Sequence, residues 1–420
     1  MSNWLTQALA QYQSSDSTDW LSAAREKSLQ QLHNTAWPTR KTENWRYTPL
    51  ACLERTSVAE PTNDAFTAES IEGLECIEIV FVNGKLVSEL TDNIPGVSIS
   101  LLSESKESAQ NLFQKVKPEH HVFGLVNDVL ASAGVVIDVD ESVVVDTPIR
   151  LVHWQNGGES HVRHLVRVGK GASLAVIEEY RGDNPLVATQ YAEYQLEDDA
   201  KLNHYRFALH TNQAMVVGGS HFNLSDRSEL HSTLIGFGSL LSRVDIDINH
   251  CGEHAMATQN SVYLLEGKEI FDLHSNVEHT KPNGTTEENI RGIVGDEAKA
   301  VFNGRIHIHR HAQKTLAELN NRNLLLTNKA EVNTKPELEI YADDVRCAHG
   351  ATVAELDTKA LYYLRSRGVS EQEARIMLNF GFINELIEQL PLEPLVEWLQ
   401  GELKRRFNDL RNQIPGVEAV

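Results

Sequence analysis

A short motif recurs through the middle of the chain at a nearly fixed spacing. That spacing restricts the possible folds more than any other feature. A polar or glycine turn residue is followed by a small residue, any residue, and usually an aliphatic one. The series runs Gly171-Ala172-Ser173-Leu174, Asp199-Ala200-Lys201-Leu202, Arg227-Ser228-Glu229-Leu230 and the degenerate His254-Ala255-Met256-Ala257. The small residues stand at 172, 200, 228 and 255, in steps of 28, 28 and 27. The pattern returns less regularly at Ala298-Lys299-Ala300, Ala330-Glu331-Val332 and Ala351-Thr352-Val353. A period of this size over short Val-, Ile- and Leu-rich runs signifies stacked coils of β-structure, because one coil cannot bury its apolar face alone. Pairing between coils is then parallel, and the stack has few free edges. Asn320, Asn321 and Asn323 are expected at coil corners, since Asn tolerates left-handed backbone. A β-sandwich is the competing architecture, but the run of two-residue hairpin turns it needs is missing.

Helical segments flank this region, which gives three parts: a helical and mixed part over 1–120, a β-helix core over 121–355 and a helical part over 356–420. In the first part, Ser17-Thr18-Asp19 offers cap residues before an apolar stripe of Trp20, Leu21, Ala24, Leu29 and Leu32 that Pro38 ends. Cys76 to Val82 followed by Asn83-Gly84 reads as a strand entering a tight turn. In the third part, Ser370-Glu371-Gln372-Glu373 is a capping box. The helix it opens has Ala374, Met377, Leu378, Leu386, Ile387 and Leu390 as its apolar side, and Pro391 stops it. Pro394 starts another, carrying Leu395, Leu399, Leu403 and Phe407, and Gly368 caps a shorter helix before both.

Composition removes several function classes. Apolar residues make up 41 % and charged residues 23 %, an ordinary globular mixture. The net charge of −21 repels phosphate backbones, so nucleic acid is not an expected partner. The apolar runs, such as Val135-Val136-Ile137, are too short to cross a bilayer, and Met1-Ser2-Asn3-Trp4 does not begin a secretion signal. No membrane association and a cytoplasmic location are therefore expected. Cys52, Cys76, Cys251 and Cys347 are widely separated, which argues against a disulfide framework and against a zinc site complete within one chain. The phosphate-binding G-x-x-x-x-G-K-[ST] loop is missing, and Val217-Gly218-Gly219-Ser220 lacks its lysine. G-x-S-x-G and H-E-x-x-H are missing as well, so no active site is expected. Asp198-Asp199 and Glu287-Glu288 read as solvated turn residues.

Two clusters could bind metal. Cys347 and His349 are two apart and share a face of an extended strand. A thiolate and an imidazole suit iron, zinc or copper, but two ligands do not complete a site, so the remainder would come from another chain. The bland alternative is a buried Cys packed as a small hydrophobe beside a His satisfied by backbone. His307, His309 and His311 also alternate, but side chains two apart on a strand start roughly 6.5–7 Å from each other, which favours a polar ladder over one shared ion.

Several strings resemble the SufB/SufD family of iron–sulfur cluster assembly proteins. Lys41-Thr42-Glu43-Asn44-Trp45-Arg46-Tyr47-Thr48-Pro49-Leu50 is similar to its N-terminal signature. Ala312-Gln313-Lys314-Thr315, Asn321 to Leu326 and Lys335 to Thr352 resemble its shared core, and Tyr363 to Gly368 the start of its C-terminal helical part. A short, cysteine-poor chain fits the SufD side of that family. The resemblance implies a right-handed parallel β-helix flanked by helices and a non-catalytic role. It implies pairing with SufB through β-helix ends and binding of the ATPase SufC through the C-terminal helices, around Tyr363, Arg365 and Arg367. It further implies no nucleotide on this chain, and iron and a nascent Fe–S cluster held transiently at the SufB interface by His349 and Cys347. A homodimer is possible when SufB is missing. A β-helix carbohydrate-active enzyme and a homodimeric metal store are the alternatives.

Overall fold

The computed structural model describes residues 3–13, 20–55, 57–61, 66–90, 94–104, 107–119 and 121–412. Two parallel sheets face each other across a common interior. One has ten strands and the other nine, and from Val135–Val139 onward consecutive strands alternate between them, so each coil gives one strand to each sheet. The chain is thus a flattened parallel β-solenoid. Inter-coil pairing is in register and parallel, as in Glu229↔Lys201 and Glu229↔Met256. This excludes the antiparallel sandwich.

The repeat has a simple cause. The residue before each small one adopts left-handed backbone: Gly171 (φ 66°), Asp199 (60°), Arg227 (56°) and His254 (58°). The chain turns there into the next strand of the ten-stranded sheet. Ala172, Ala200, Ser228 and Ala255 are fully buried just inside the bend, where a larger side chain would fill the corner. The corner amides form a ladder of their own, from Gly171 N to Asp198 O, Asp199 N to Asp226 O and Arg227 N to Glu253 O, each 2.8 Å. The same corner continues at Asn283 (φ 61°) and Lys314 (59°). Ala298 and Ala330 instead precede strands of the other sheet, and Ala351 lies within the strand Arg346–Ala354. Asn320, Asn321 and Asn323 are not corner residues either. They lie within the strand Leu316–Leu325, where Asn321 and Asn323 are buried and Asn323 donates to Asn321 Oδ1 at 2.7 Å.

The helices are α1 (Asn3–Gln13), α2 (Ser22–Asn34), α3 (Ala51–Arg55), α4 (Glu107–Leu112), α5 (Val122–Leu130), α6 (Thr358–Ser366), α7 (Glu371–Ile387) and α8 (Glu393–Asn412). The cap proposed at Ser17-Thr18-Asp19 lies outside the described residues. Helix α2 buries Arg25, Ser28 and Leu32, and Leu21 precedes it. Helix α5 falls inside the stretch that reads as strands from its sequence. It docks through Asp128, which accepts from Arg163 at 3.1 Å, while Arg163 also reaches Glu193 at 2.7 Å. Asn83 (φ 48°) and Gly84 (φ 75°) close the expected tight turn after Ile77–Val82. The Ser370 capping box forms, and Gly368 (φ 89°) ends α6.

Helices cover both outer faces. Trp4, Leu5, Leu9, Trp45 and Phe123 pack on Val187, Tyr191, Met215 and Leu241 of the nine-stranded sheet. Ile383, Leu386, Leu395, Leu399 and Leu403 pack on Phe207, Phe237, Val262 and Ile293 of the ten-stranded sheet. Met377, expected on the apolar side of α7, is 54 % exposed, and the buried stripe passes through Asn379 and Ile383 instead. Ion pairs tie α8 down, with Arg406 2.5 Å from both Glu266 and Glu269.

The interior is not uniformly apolar. One inward row of the ten-stranded sheet runs His204, Ser232, Gln259, Glu288, Leu319 and His349 across successive coils. Glu288 therefore does not lie in a solvated turn. It is fully buried in the strand Thr285–Val294 and accepts a hydrogen bond from Ser275 Oγ. Burial pushes its carboxyl up from the ordinary 4.5 to about 7. Between these values the folded chain holds a proton that the unfolded chain has lost, so Glu288 makes stability fall as pH rises from about 4.5 to about 7, by a total on the order of 3 kcal/mol. Glu288→Gln should match the parent near pH 4 and exceed it at pH 8 in urea unfolding. Parallel pH–stability curves for the two proteins would rule out this account.

Candidate functional site

The two ends of the solenoid differ. At the N-terminal end, antiparallel strands finish each sheet: Lys85–Leu86 against Ile77–Val82, and Val97–Leu101 against Val135–Val139. At the C-terminal end both sheets stop at parallel edge strands, Glu331–Ile340 and Arg346–Ala354, and no described strand pairs with their outer sides. These two strands also lack the burial of the inner coils. Ile340, Tyr341 and Val353 are large apolar residues exposed around them. Long exposed edges with unpaired N–H and C=O groups are templates for another chain.

Cys347 and His349 both lie on the Arg346–Ala354 edge strand. Their partners in the neighbouring strand are Ala317 and Leu319, both buried in the solenoid interior. Cys347 packs against that core and is half-buried, and burial raises its thiol pKa. His349 is exposed and ends the inward row that contains Glu288. The strand geometry thus brings one sulfur and one imidazole to the open mouth of the interior.

Tyr363, Arg365 and Arg367 fall on or just after α6, a helix with no buried residue. Tyr363 is 57 % exposed and its neighbour Tyr362 74 %. The Arg367 guanidinium lies 5.3 Å from the Tyr363 ring centroid, and Arg365 pairs with Glu371 at 3.2 Å. Only residues 355–357 separate α6 from the edge strand that carries His349.

The histidine series behaves differently from a simple ladder. His307 occupies the strand Lys299–Ile308 and points outward, while His309 follows the strand end and folds back, so that the two rings are 4.1 Å apart. Both reach Glu278 Oε2, through His307 Nδ1 and His309 Nε2, each at 2.7 Å. His311 does not join them. Burial works against the charge of Glu278, but Arg305 and the two imidazoles hold its carboxyl below the ordinary range. No local spacing pointed to Glu278. The coil period does, because Glu278 pairs directly with His307.

Comparisons with known proteins converge on one family. Residues 152–382 match the model of the SUF system FeS cluster assembly SufBD core domain, and residues 5–151 match that of the SufBD protein N-terminal region. The chain is 32 % identical over 395 residues to the iron–sulfur cluster assembly protein SufD of Escherichia coli, covering 91 % of this chain and 92 % of that one. An iron–sulfur cluster assembly SufBD family protein of Synechocystis is 26 % identical, covering 91 % and 89 %. Protein ABCI7, chloroplastic, of Arabidopsis thaliana is 26 % identical, covering 91 % and 86 %. None of these names points to carbohydrate chemistry.

The exposure of the two mouth residues sets what each contributes to stability. His349→Ala should change the unfolding free energy by no more than about 0.5 kcal/mol, and Cys347→Ala should cost about 1 kcal/mol through lost packing. Urea titration checks both. A loss of several kcal/mol for His349→Ala would make the ring a structural element.

Proposed function

Because this chain belongs to the SufB/SufD family of iron–sulfur cluster assembly proteins, we propose that it is a non-catalytic scaffold subunit whose open solenoid end pairs with SufB while its C-terminal helices hold SufC. Iron and the nascent cluster are cargo at the shared interface, not a resident cofactor. The observation that carries this reading is the asymmetry of the solenoid, closed by antiparallel strands at one end and left with two parallel edges at the other. A second solenoid end would supply hydrogen-bond partners for those edges and cover Ile340, Tyr341 and Val353. With SufB missing, a second copy of this chain would meet the same need.

At that junction His349 supplies an imidazole nitrogen and Cys347 a thiol, both facing the mouth. The thiol is held protonated by burial, so metal would have to displace its proton. Two ligands leave a tetrahedral iron incomplete, and SufB residues would fill the other positions. A neutral imidazole binds metal without losing a proton, which makes His349 the stronger candidate of the two as an iron ligand. Tyr363, Arg365 and Arg367 present an aromatic and cationic surface suited to SufC, where ATP would be hydrolysed. The link 355–357 joins that surface to the edge strand, so movement of α6 would pull directly on the strand carrying Cys347 and His349. A cytoplasmic location fits the acidic composition, and no helix among the described residues is long and apolar enough to cross a membrane.

Co-purification with SufB and SufC, followed by anaerobic cluster formation on the complex, tests the reading. His349→Ala should abolish most of the cluster yield and Cys347→Ala should reduce it less, with the complex intact. Tyr363→Ala combined with Arg367→Ala should weaken SufC retention by roughly 30-fold, as for the loss of one interface hot spot. Failure to associate with either protein, or full yield in both mouth variants, would refute the assignment. A stable cluster on the lone chain would favour a metal store.

A further inference from the structure

We propose that Glu278, His307 and His309 form a second metal site, on the outer face of the nine-stranded sheet, that takes a divalent first-row transition ion. Their ligand atoms all lie within 4.8 Å of one another. An ion with bonds near 2.1 Å needs neighbouring donors about 3 Å apart, close to the 2.7 Å that separates Glu278 Oε2 from each imidazole nitrogen. Two imidazoles and one carboxylate are the facial donor set that suits ferrous iron and its neighbours, with the remaining positions open to water. The ring protons on His307 Nδ1 and His309 Nε2 would move to the other ring nitrogens, leaving both lone pairs for the ion.

The surroundings hold the donors in place. Arg305 Nη1 binds Glu278 Oε1 at 2.6 Å, which leaves Oε2 to face the histidines. The same guanidinium makes a two-point contact with Glu339, at 2.8 and 3.1 Å. Two carboxylates against one guanidinium leave the cluster a net negative charge, which favours a cation. The His309 amide donates to His279 O at 3.0 Å and the Tyr341 amide to Ile308 O at 2.9 Å, fixing the backbone on either side. The Tyr341 ring meets His307 edge-on at 5.4 Å between centroids. Side-chain exposures of 22 %, 17 % and 42 % for Glu278, His307 and His309 let a hydrated ion reach all three.

This site differs from the mouth in face and in chemistry. Val277, Ile306 and Ile308 point into the core, so Glu278 and His307 between them point out, whereas Cys347 and His349 point in. It contains no sulfur. Nor does it depend on the scaffold reading, because the lone chain carries all three ligands.

Titration of the purified full chain with Co(II) chloride under anaerobic conditions tests it. The parent should bind one ion with visible d–d bands and no thiolate-to-cobalt charge-transfer band, and the ion should raise the unfolding temperature. His309→Ala and Glu278→Gln should each weaken binding by more than the ~10–100-fold typical of losing an outer-sphere partner. Cys347→Ala and His349→Ala should leave this binding intact. His309 follows the strand end and is part-exposed, so its alanine variant should fold, and circular dichroism of the apo-protein checks that. Equal cobalt binding in the parent and in the His307→Ala/His309→Ala double variant, or loss of the cobalt binding in Cys347→Ala, would overturn the site.

Discussion

The structure depends on the hydrogen bonds that run from coil to coil. A strand inside the stack spends its amides and carbonyls on the coils before and after it, and the left-handed corners add a second ladder through residues such as Gly171, Asp199 and Arg227. This arrangement has no natural terminus, since every coil added creates the same unmet need on its far side. The chain resolves the need at one end with the hairpin Ile77–Leu86 and the antiparallel strand Val97–Leu101. At the other end it ends the ladders on two edge strands and continues into helices, of which α7 and α8 lie over an outer face. The position of the candidate interface follows from that one choice.

The same constraint explains the family-like strings without assigning each of them a reaction. The segment Lys41 to Leu50 lies on the outer face of the nine-stranded sheet. Trp45 sits 4.0 Å beneath the Arg243 guanidinium, Thr48 donates to Asp272 at 2.6 Å, and Glu43 pairs with Lys335 at 2.6 Å. These contacts clamp separate coils together from outside. Inside, Glu178 is fully buried, and burial opposes its charge. Arg206 at 2.7 Å and His204 at 2.9 Å nonetheless hold it ionised, well below the usual carboxylate range. A flattened solenoid has room for such networks between its sheets, provided that every member finds a partner.

The period, the parallel pairing and the C-terminal capping box were legible because each rests on local residue chemistry repeated at a fixed interval. The structure departs from the sequence pattern at side chains whose environment is set by the other sheet. Asn's tolerance for left-handed backbone predicts Asn321 and Asn323 at corners, yet the corners fall at Asp199, Arg227, His254 and Lys314 as well as Asn283. The inter-coil ladder outweighs intrinsic preference there. Glu287-Glu288 reads as a solvated pair because the stretch around it is polar and turn-like, but alternation along the strand turns the two to opposite faces. The apparent series Ala298, Ala330 and Ala351 joins a corner of the other sheet to a mid-strand residue. The Glu278–His307–His309 group was hidden because a strand brings residues of one face no closer than its rise allows. The convergence needs a residue from the next coil and a chain that bends after Ile308.

The last coil is also where rearrangement costs least. The inner strands are buried on both faces and hydrogen-bonded on both sides, so displacing any of them would break two ladders and expose two apolar surfaces. Arg346–Ala354 is bonded on one side, is mostly exposed, and leads through three residues into a helix with no buried side chain. Local opening free energies are lowest in segments of this kind. The rigid stack therefore ends in a strand that can shift without unfolding its neighbours, and that strand carries the thiol and the imidazole. Placing them one coil deeper would have buried both side chains and coupled their motion to the stability of the whole solenoid.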